Sequence, residues 1–268
     1  MPLQGEIHLR RFVPRALPLA TMAEGFALVT HSARLKRGMR AWVLSTFIIT
    51  AASRTLGAES WNNPPHEKIA GVEHHTFKSA SMNVEVGFNI YLPPQYATEK
   101  AKRFPVIYYL HGIKGNESSY LDYAHLLDQA TKSGGVAPTI LIFANGGETS
   151  FFSDSPDHSV MGETIIVREL VPYIDQHYRT ISAAHARSLH GFSMGGFGAL
   201  KFAFKYPEMF QSVVSYAAIL PDAKTFAAKE RKVFQKAFGD EAGFAKNDPF
   251  QLLQENASKL RGQKVQLV

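Results

Sequence analysis

The sequence predicts an α/β fold of the doubly wound kind, a mostly parallel sheet with helices on both faces and an antiparallel edge formed by its N-terminal strands. Three observations carry this. Residues 104–110 (FPVIYYL) and 139–144 (TILIFA) are unbroken apolar runs of strand length, as expected of parallel strands covered on both sides. Segments with helical spacing of apolar residues alternate with such runs. The run 187–192 leads through a glycine-rich turn directly into a helical pattern.

Each element has its own justification. Residues 74–79 and 84–91 are rich in strand formers and stop at Leu92-Pro93-Pro94, which predicts the two antiparallel edge strands. Between the central runs, 118–132 sets Leu121, Leu127 and Ala130 at helical spacing, and Gly134 is placed to end that helix. In 163–178 the stripe Val167, Leu170, Val171, Ile174 and Tyr178 predicts another helix, kinked at Pro172 because proline has no amide proton for the helical ladder. Residues 194–206 read as a helix stopped by Pro207, and 212–219 as a strand. Asp248-Pro249 is a cap followed by a first-turn proline, opening a helix to about Ser258, after which 264–268 begins a further apolar strand. No repeat, and no linker rich in Pro, Gly or Ser, divides 59–268, which reads as one domain.

Composition is that of an ordinary globular chain, 45% hydrophobic and 19% charged over 268 residues. The net charge of +6 suggests an anionic partner until its location is examined. Residues 1–58 hold eight of the 29 basic and two of the 23 acidic residues, leaving 21 of each in 59–268. The body is formally neutral, so no nucleic-acid partner is expected. In 1–58, Arg34, Lys36, Arg37 and Arg40 precede an apolar run, 41–52, and then small residues through Ala58. That order predicts a leader with a signal peptide, hence a secreted or periplasmic protein. The run is shorter than the ~20 residues that cross a bilayer, so no stable membrane span is expected. Met39 directly precedes Arg40 and is an alternative start of translation, and a disordered basic tail is the plainer reading of the same stretch. The absence of cysteine excludes disulfides, thiolate nucleophiles and Cys-based zinc sites.

Gly191-Phe192-Ser193-Met194-Gly195 matches the pattern GxSxG at a strand-to-helix turn. Such a turn exposes a serine hydroxyl above the sheet, and a helix N-terminus there aims free amides at a developing oxyanion. Gly195, Gly196, Gly198 and Ala199 permit the helix to approach the sheet closely. The plain alternative is a glycine-rich connection without chemistry. A second motif, Leu110-His111-Gly112-Ile113-Lys114-Gly115, stands at the end of an earlier parallel strand, where a second oxyanion donor is expected. The donors are assigned as the backbone N–H groups of Ile113 and Met194, with Ser193 as nucleophile.

The segments FPVIYYLHGIKGNE, RELVPYIDQHYR and HGFSMGGFGALKFAFKYPEMF together resemble the family of esterase D, feruloyl and acetylxylan esterases and mycolyltransferases, over about residues 72–268. The resemblance implies an α/β-hydrolase fold, no metal or organic cofactor, and action on carboxylic esters or thioesters, with Ser193 as nucleophile and Ile113 and Met194 as oxyanion donors. An exported chain is more similar to the feruloyl and polysaccharide-deacetylating branches, which implies a small-molecule or polysaccharide-linked ester as substrate.

A serine hydroxyl needs an imidazole to take its proton, and in this fold the order is Ser, then Asp or Glu, then His. No histidine follows Ser193, and His190 lies on the nucleophile's own strand. Three readings remain: a truncated frame lacking the acid and the histidine, a non-catalytic relative, or a base from upstream such as His111 or His158. The first is preferred, since a chain stopping on an apolar strand leaves the sheet without its next helix. Asp222 occupies an alternative acid position, although a turn or cap role is the simpler one, and Asp248 reads as an N-cap. Segment 146–162 reads as a substrate-cleft loop. The cleft candidates are His111, Gly112, Tyr120, Phe151, Phe152 and His158, with Tyr120, Phe151 and Phe152 either lining an acyl pocket or simply packing. His158 with Asp154 and Asp157 reads as a solvated turn, and His74-His75 face opposite ways on a strand, so no metal site is expected. The functional expectation is an exported serine carboxylesterase. An acyltransferase of the same fold and a non-catalytic binding protein are the rivals.

Overall fold

The computed structural model describes residues 60–268, and the leader, signal peptide and Met39 start all lie outside them. Seven strands form one sheet in the order β1-β2-β4-β3-β5-β6-β7. β1 (Val72–Lys78) and β2 (Glu85–Tyr91) pair antiparallel, and β2 pairs antiparallel with β4 (Ile140–Ala144). From β4 onward every pairing is parallel, through β3 (Val106–Leu110), β5 (Arg187–Phe192), β6 (Ser212–Tyr216) and β7 (Lys264–Leu267). The predicted architecture is therefore the observed one. β3 and β4 are buried at every position, which is why their sequences show no alternation.

The helices are α1 (Pro94–Thr98), α2 (Asp122–Lys132), α3 (Val171–His177), α4 (Met194–Lys205), α5 (Ala223–Lys229), α6 (Arg231–Phe238), α7 (Glu241–Ala245) and α8 (Pro249–Glu255). Four differences from the sequence reading have local causes. α2 begins at Asp122, not 118, because the preceding turns place Tyr120 at φ 63°, outside the helical region. The helix expected over 163–178 is a π-helical stretch, Thr164–Leu170, feeding α3, and the Val171 amide bonds back five residues to Ile166. Pro172 has no amide with which to hold the tighter ladder there. β6 ends at Tyr216, where Ala217 turns to φ 44°. Helices α5 to α7 have no counterpart in the sequence reading, because each is short and only Asp222 and Asp240 at their N-caps mark the starts.

The sheet separates two cores. On one face Tyr108, Leu110, Leu189 and Val213 meet α4 and the α5–α8 segment, with Phe151, Phe197, Phe226, Phe234, Phe238 and Phe244 in mutual ring contact. On the other, Ile107, Tyr109, Leu141 and Phe143 meet α2 through Leu121, Ala124 and Leu127. Among the described residues this second core covers only part of its face. Beside α2 runs an open groove of about 520 Å³, lined by Ile107, Leu126, Leu127, Ser188, His190 and Ser212 among others. No helix of the described residues is long and apolar enough to cross a membrane.

Candidate active site

β5 feeds α4 through a single residue, Ser193, at φ 57° and ψ −114°. A non-glycine residue there carries strain of order 1–3 kcal/mol, so surrounding contacts must hold it. They do: its N–H donates to the Tyr216 carbonyl at 2.8 Å, and its carbonyl accepts from Phe197 at 3.1 Å and Ile219 at 3.4 Å. The glycines are demanded by space. A Cβ on Gly191 would overlap the Gly195 carbonyl, and one on Gly195 would overlap the Leu110 carbonyl, both backbone atoms that cannot swing away. Ser193 is half-buried at the N-terminus of α4, and its hydroxyl makes no capping bond.

The second loop leaves β3 beside this turn. Gly115 N–H closes on Gly112 O at 3.0 Å, and Lys114 N–H reaches Glu148 O at 2.7 Å, which ties the loop to the one after β4. Among the described residues no backbone acceptor is bonded to the N–H of Ile113 or of Met194. His111 is buried beneath the loop. Its Nδ1 donates to Gly112 O at 2.8 Å, which makes Nε2 the acceptor for the Gly146 N–H at 3.4 Å. Burial lowers its pKa to about 4, so the ring is neutral at pH 7. With both nitrogens committed to backbone, His111 is not available as the upstream base considered from sequence, nor does it line a cleft.

The remaining sequence candidates are distributed as follows. Tyr120 is 43% exposed, its ring 5.3 Å from Phe192, beside the Gly112 backbone. Phe151 and Phe152 are fully buried, which decides between the two readings in favour of packing and corrects the cleft assignment. Phe151 packs edge-on or tilted among Phe197, Phe226 and Phe238, and Phe152 lies over Gly146 and Gly198. Hydrophobicity alone could not separate lining from packing; the glycines at 146 and 198, which leave room for a ring, were the usable signal. His158 is exposed in a turn whose Asp157 accepts from Ser155 and Ser159. Asp222 caps α5 by accepting from Thr225 N–H at 2.9 Å, and Asp248 caps α8 by accepting from Phe250 N–H at 3.0 Å. Neither is placed as a triad acid.

His190 projects to the α2 face, where Nδ1 meets Tyr123 Oη at 2.7 Å, and burial lowers its pKa to about 4. Among the described residues, then, neither buried histidine offers Ser193 a free imidazole. No group of three or more metal-ligating side chains occurs among them.

One element escaped sequence reading. Lys201 on α4 is fully buried, with Nζ donating to Phe152 O at 2.7 Å, Ser153 Oγ at 2.9 Å and Glu163 Oε2 at 2.8 Å. Its position four residues beyond Phe197, on the apolar stripe of FGALKFAF, was the available signal.

Comparison with known proteins adds the following. The family model described as "Putative esterase" matches residues 79–268. An esterase of Mycobacterium tuberculosis is 32% identical over 148 residues, 54% of this chain and 31% of that protein. An endo-1,4-beta-xylanase/feruloyl esterase of Xylanibacter ruminicola is 30% identical over 147 residues, 52% of this chain and 20% of that one. The chain thus spans less than a third of these relatives. Among solved structures, a ferulic acid esterase superposes with a TM-score of 0.55 at 24% identity, covering 74% of this chain and 88% of that one. An S-formylglutathione hydrolase from Agrobacterium tumefaciens does so at 0.60 and 19%, covering 75% and 87%. These likenesses establish the α/β-hydrolase fold.

Proposed function

From the premise that this chain belongs to the Putative esterase family, we propose that it is a serine carboxylic-ester hydrolase acting through an acyl-enzyme on Ser193. The observation that carries the reading is the turn itself, a strained serine at a helix N-terminus beside two amides without backbone acceptors. Ser193 Oγ attacks the ester carbonyl and gives its proton to a general base. The carbonyl oxygen becomes an oxyanion held by the Ile113 and Met194 N–H groups. Collapse expels the alcohol, which takes up the proton, and water then releases the acid by the same steps. His111 and His190, both engaged elsewhere, are not that base. Relatives named as feruloyl and acetyl esterases favour feruloyl or acetyl groups on polysaccharide, and the leader favours a secreted or periplasmic address.

The test is acylation of the 268-residue chain by p-nitrophenyl acetate. One equivalent of p-nitrophenol released slowly, with acetate mapped to Ser193 and none in Ser193→Ala, is the expected result. Equal acylation of both proteins, or none of either, contradicts it and favours a binding role.

A further inference from the structure

We propose that Lys201 is a positioning residue, one that fixes the oxyanion loop relative to the nucleophile's helix through Phe152 and His111. The inference rests on the ester-hydrolase reading for its purpose, and on the following geometry for its existence.

Lys201 lies on the same helix as Ser193, and its ammonium has three N–H donors and three acceptors, Phe152 O, Ser153 Oγ and Glu163 Oε2. The charge is not left bare: Glu163 also accepts from Lys205 at 2.7 Å and from the Tyr206 hydroxyl. Burial opposes ionisation of Glu163, but the two lysines outweigh it and bring its pKa down to about 2. A buried ion pair satisfied in this way is weak support for stability and is better understood as fixing one arrangement.

What it fixes is improbable without it. Phe151 and Phe152 are successive non-glycine residues at φ 52°, and bulky side chains rarely adopt that region even singly. Ser150 Oγ accepts from Phe152 N–H at 2.8 Å, and Lys201 grips the carbonyl of the same residue. Held so, the Phe152 ring fills the space a Cβ would take on Gly146 and on Gly198, and its centroid sits 5.2 Å from that of His111. His111 in turn holds Gly112 O, the residue before the Ile113 donor. A contiguous path therefore runs from α4 to the amide that would receive the oxyanion, so nucleophile and donor are set by one rigid body.

Amide hydrogen exchange on the intact 268-residue chain tests this without turnover. In Lys201→Met, exchange in 111–116 and 150–153 is expected to rise roughly tenfold while the β1–β2 hairpin is unchanged. In Glu163→Gln, which keeps the Lys201 bonds to Phe152 and Ser153, exchange in 111–116 is expected to stay within about twofold of the wild type. Should Lys201→Met fail to fold, Gly198→Ala breaks the path at the Phe152 ring and is expected to open 111–116 likewise. Unchanged protection of 111–116 in Lys201→Met, or in Gly198→Ala where that variant stands in for it, overturns the proposal, as does opening of 111–116 in Glu163→Gln or faster exchange everywhere alike. Failure of Ser193 to acylate sinks the hydrolase reading instead, and leaves the exchange result to be judged by itself.

Discussion

The two faces of the sheet are built differently, although the same strands make both. On the α4 face, alternate residues of β3, β5 and β6 are Tyr108, Leu189 and Val213, and they are sealed by a phenylalanine cluster. On the α2 face the intervening residues of β5 and β6 include Ser188, His190 and Ser212, and these border an open groove. The difference teaches where the site's rigidity comes from. Ser193, Gly195, Lys201 and the Phe151–Phe152 turn all belong to the sealed side, where close packing turns a small displacement into a large cost. The open side contributes the Tyr216 carbonyl that holds the Ser193 amide, and little else among the described residues.

The sharpest way to break this comparison is to cut one apolar side chain from each face. Phe197→Ala on the sealed side is expected to lower stability by about 4 kcal/mol in urea unfolding. Leu126→Ala, 53% exposed on the open side, is expected to change it by less than about 0.5 kcal/mol. Comparable losses would show that the open face is as tightly packed as the other. Next in size is Gly195→Ala, whose methyl meets the Leu110 backbone; a loss of about 3 kcal/mol is expected, and retention of wild-type stability would mean that the turn has slack.

Acid sensitivity separates the faces by histidine, His111 on the sealed side and His190 on the open one. Each has a folded pKa near 4, below the ordinary 6.5, so the unfolded chain takes up the proton first as pH falls. Stability is therefore full above about pH 6.5 and declines toward pH 4, by about 3 kcal/mol for each histidine. Glu163 acts in a lower window, its contribution present above about pH 4.5 and lost toward pH 2. Thermal unfolding of His190→Phe between pH 7 and 4 is expected to show about half the wild-type slope. An unaltered slope would place the acid response elsewhere.

The sheet was legible in the sequence because continuous apolar runs such as VIYYL and ILIFA have few other uses, and the turn at Ser193 because GxSxG requires a strand before it and a helix after. Helices α5 to α7 were not legible, since five to eight residues hold too few turns for periodicity to stand out. Nor was the fate of Phe151 and Phe152: a phenylalanine in a loop reads alike whether it lines a cleft or fills a core, and what decides is the space over Gly146 and Gly198 for Phe152 and the surrounding phenylalanine rings for Phe151. Lys201 was hidden because a lone lysine in a helix is ordinarily solvated, and the acceptors that permit its burial, Glu163, Ser153 and Phe152, all lie far back in the chain.

We propose that Ser193 is a nucleophile whose proton acceptor is neither His111 nor His190. Chemical rescue measures that directly: the rate at which a fluorophosphonate modifies Ser193 of the 268-residue chain, with and without added imidazole, mapped by peptide mass. The account predicts slow labelling confined to Ser193, accelerated by imidazole and abolished in Ser193→Ala. Rapid labelling indifferent to imidazole, or an adduct on another residue, would contradict it.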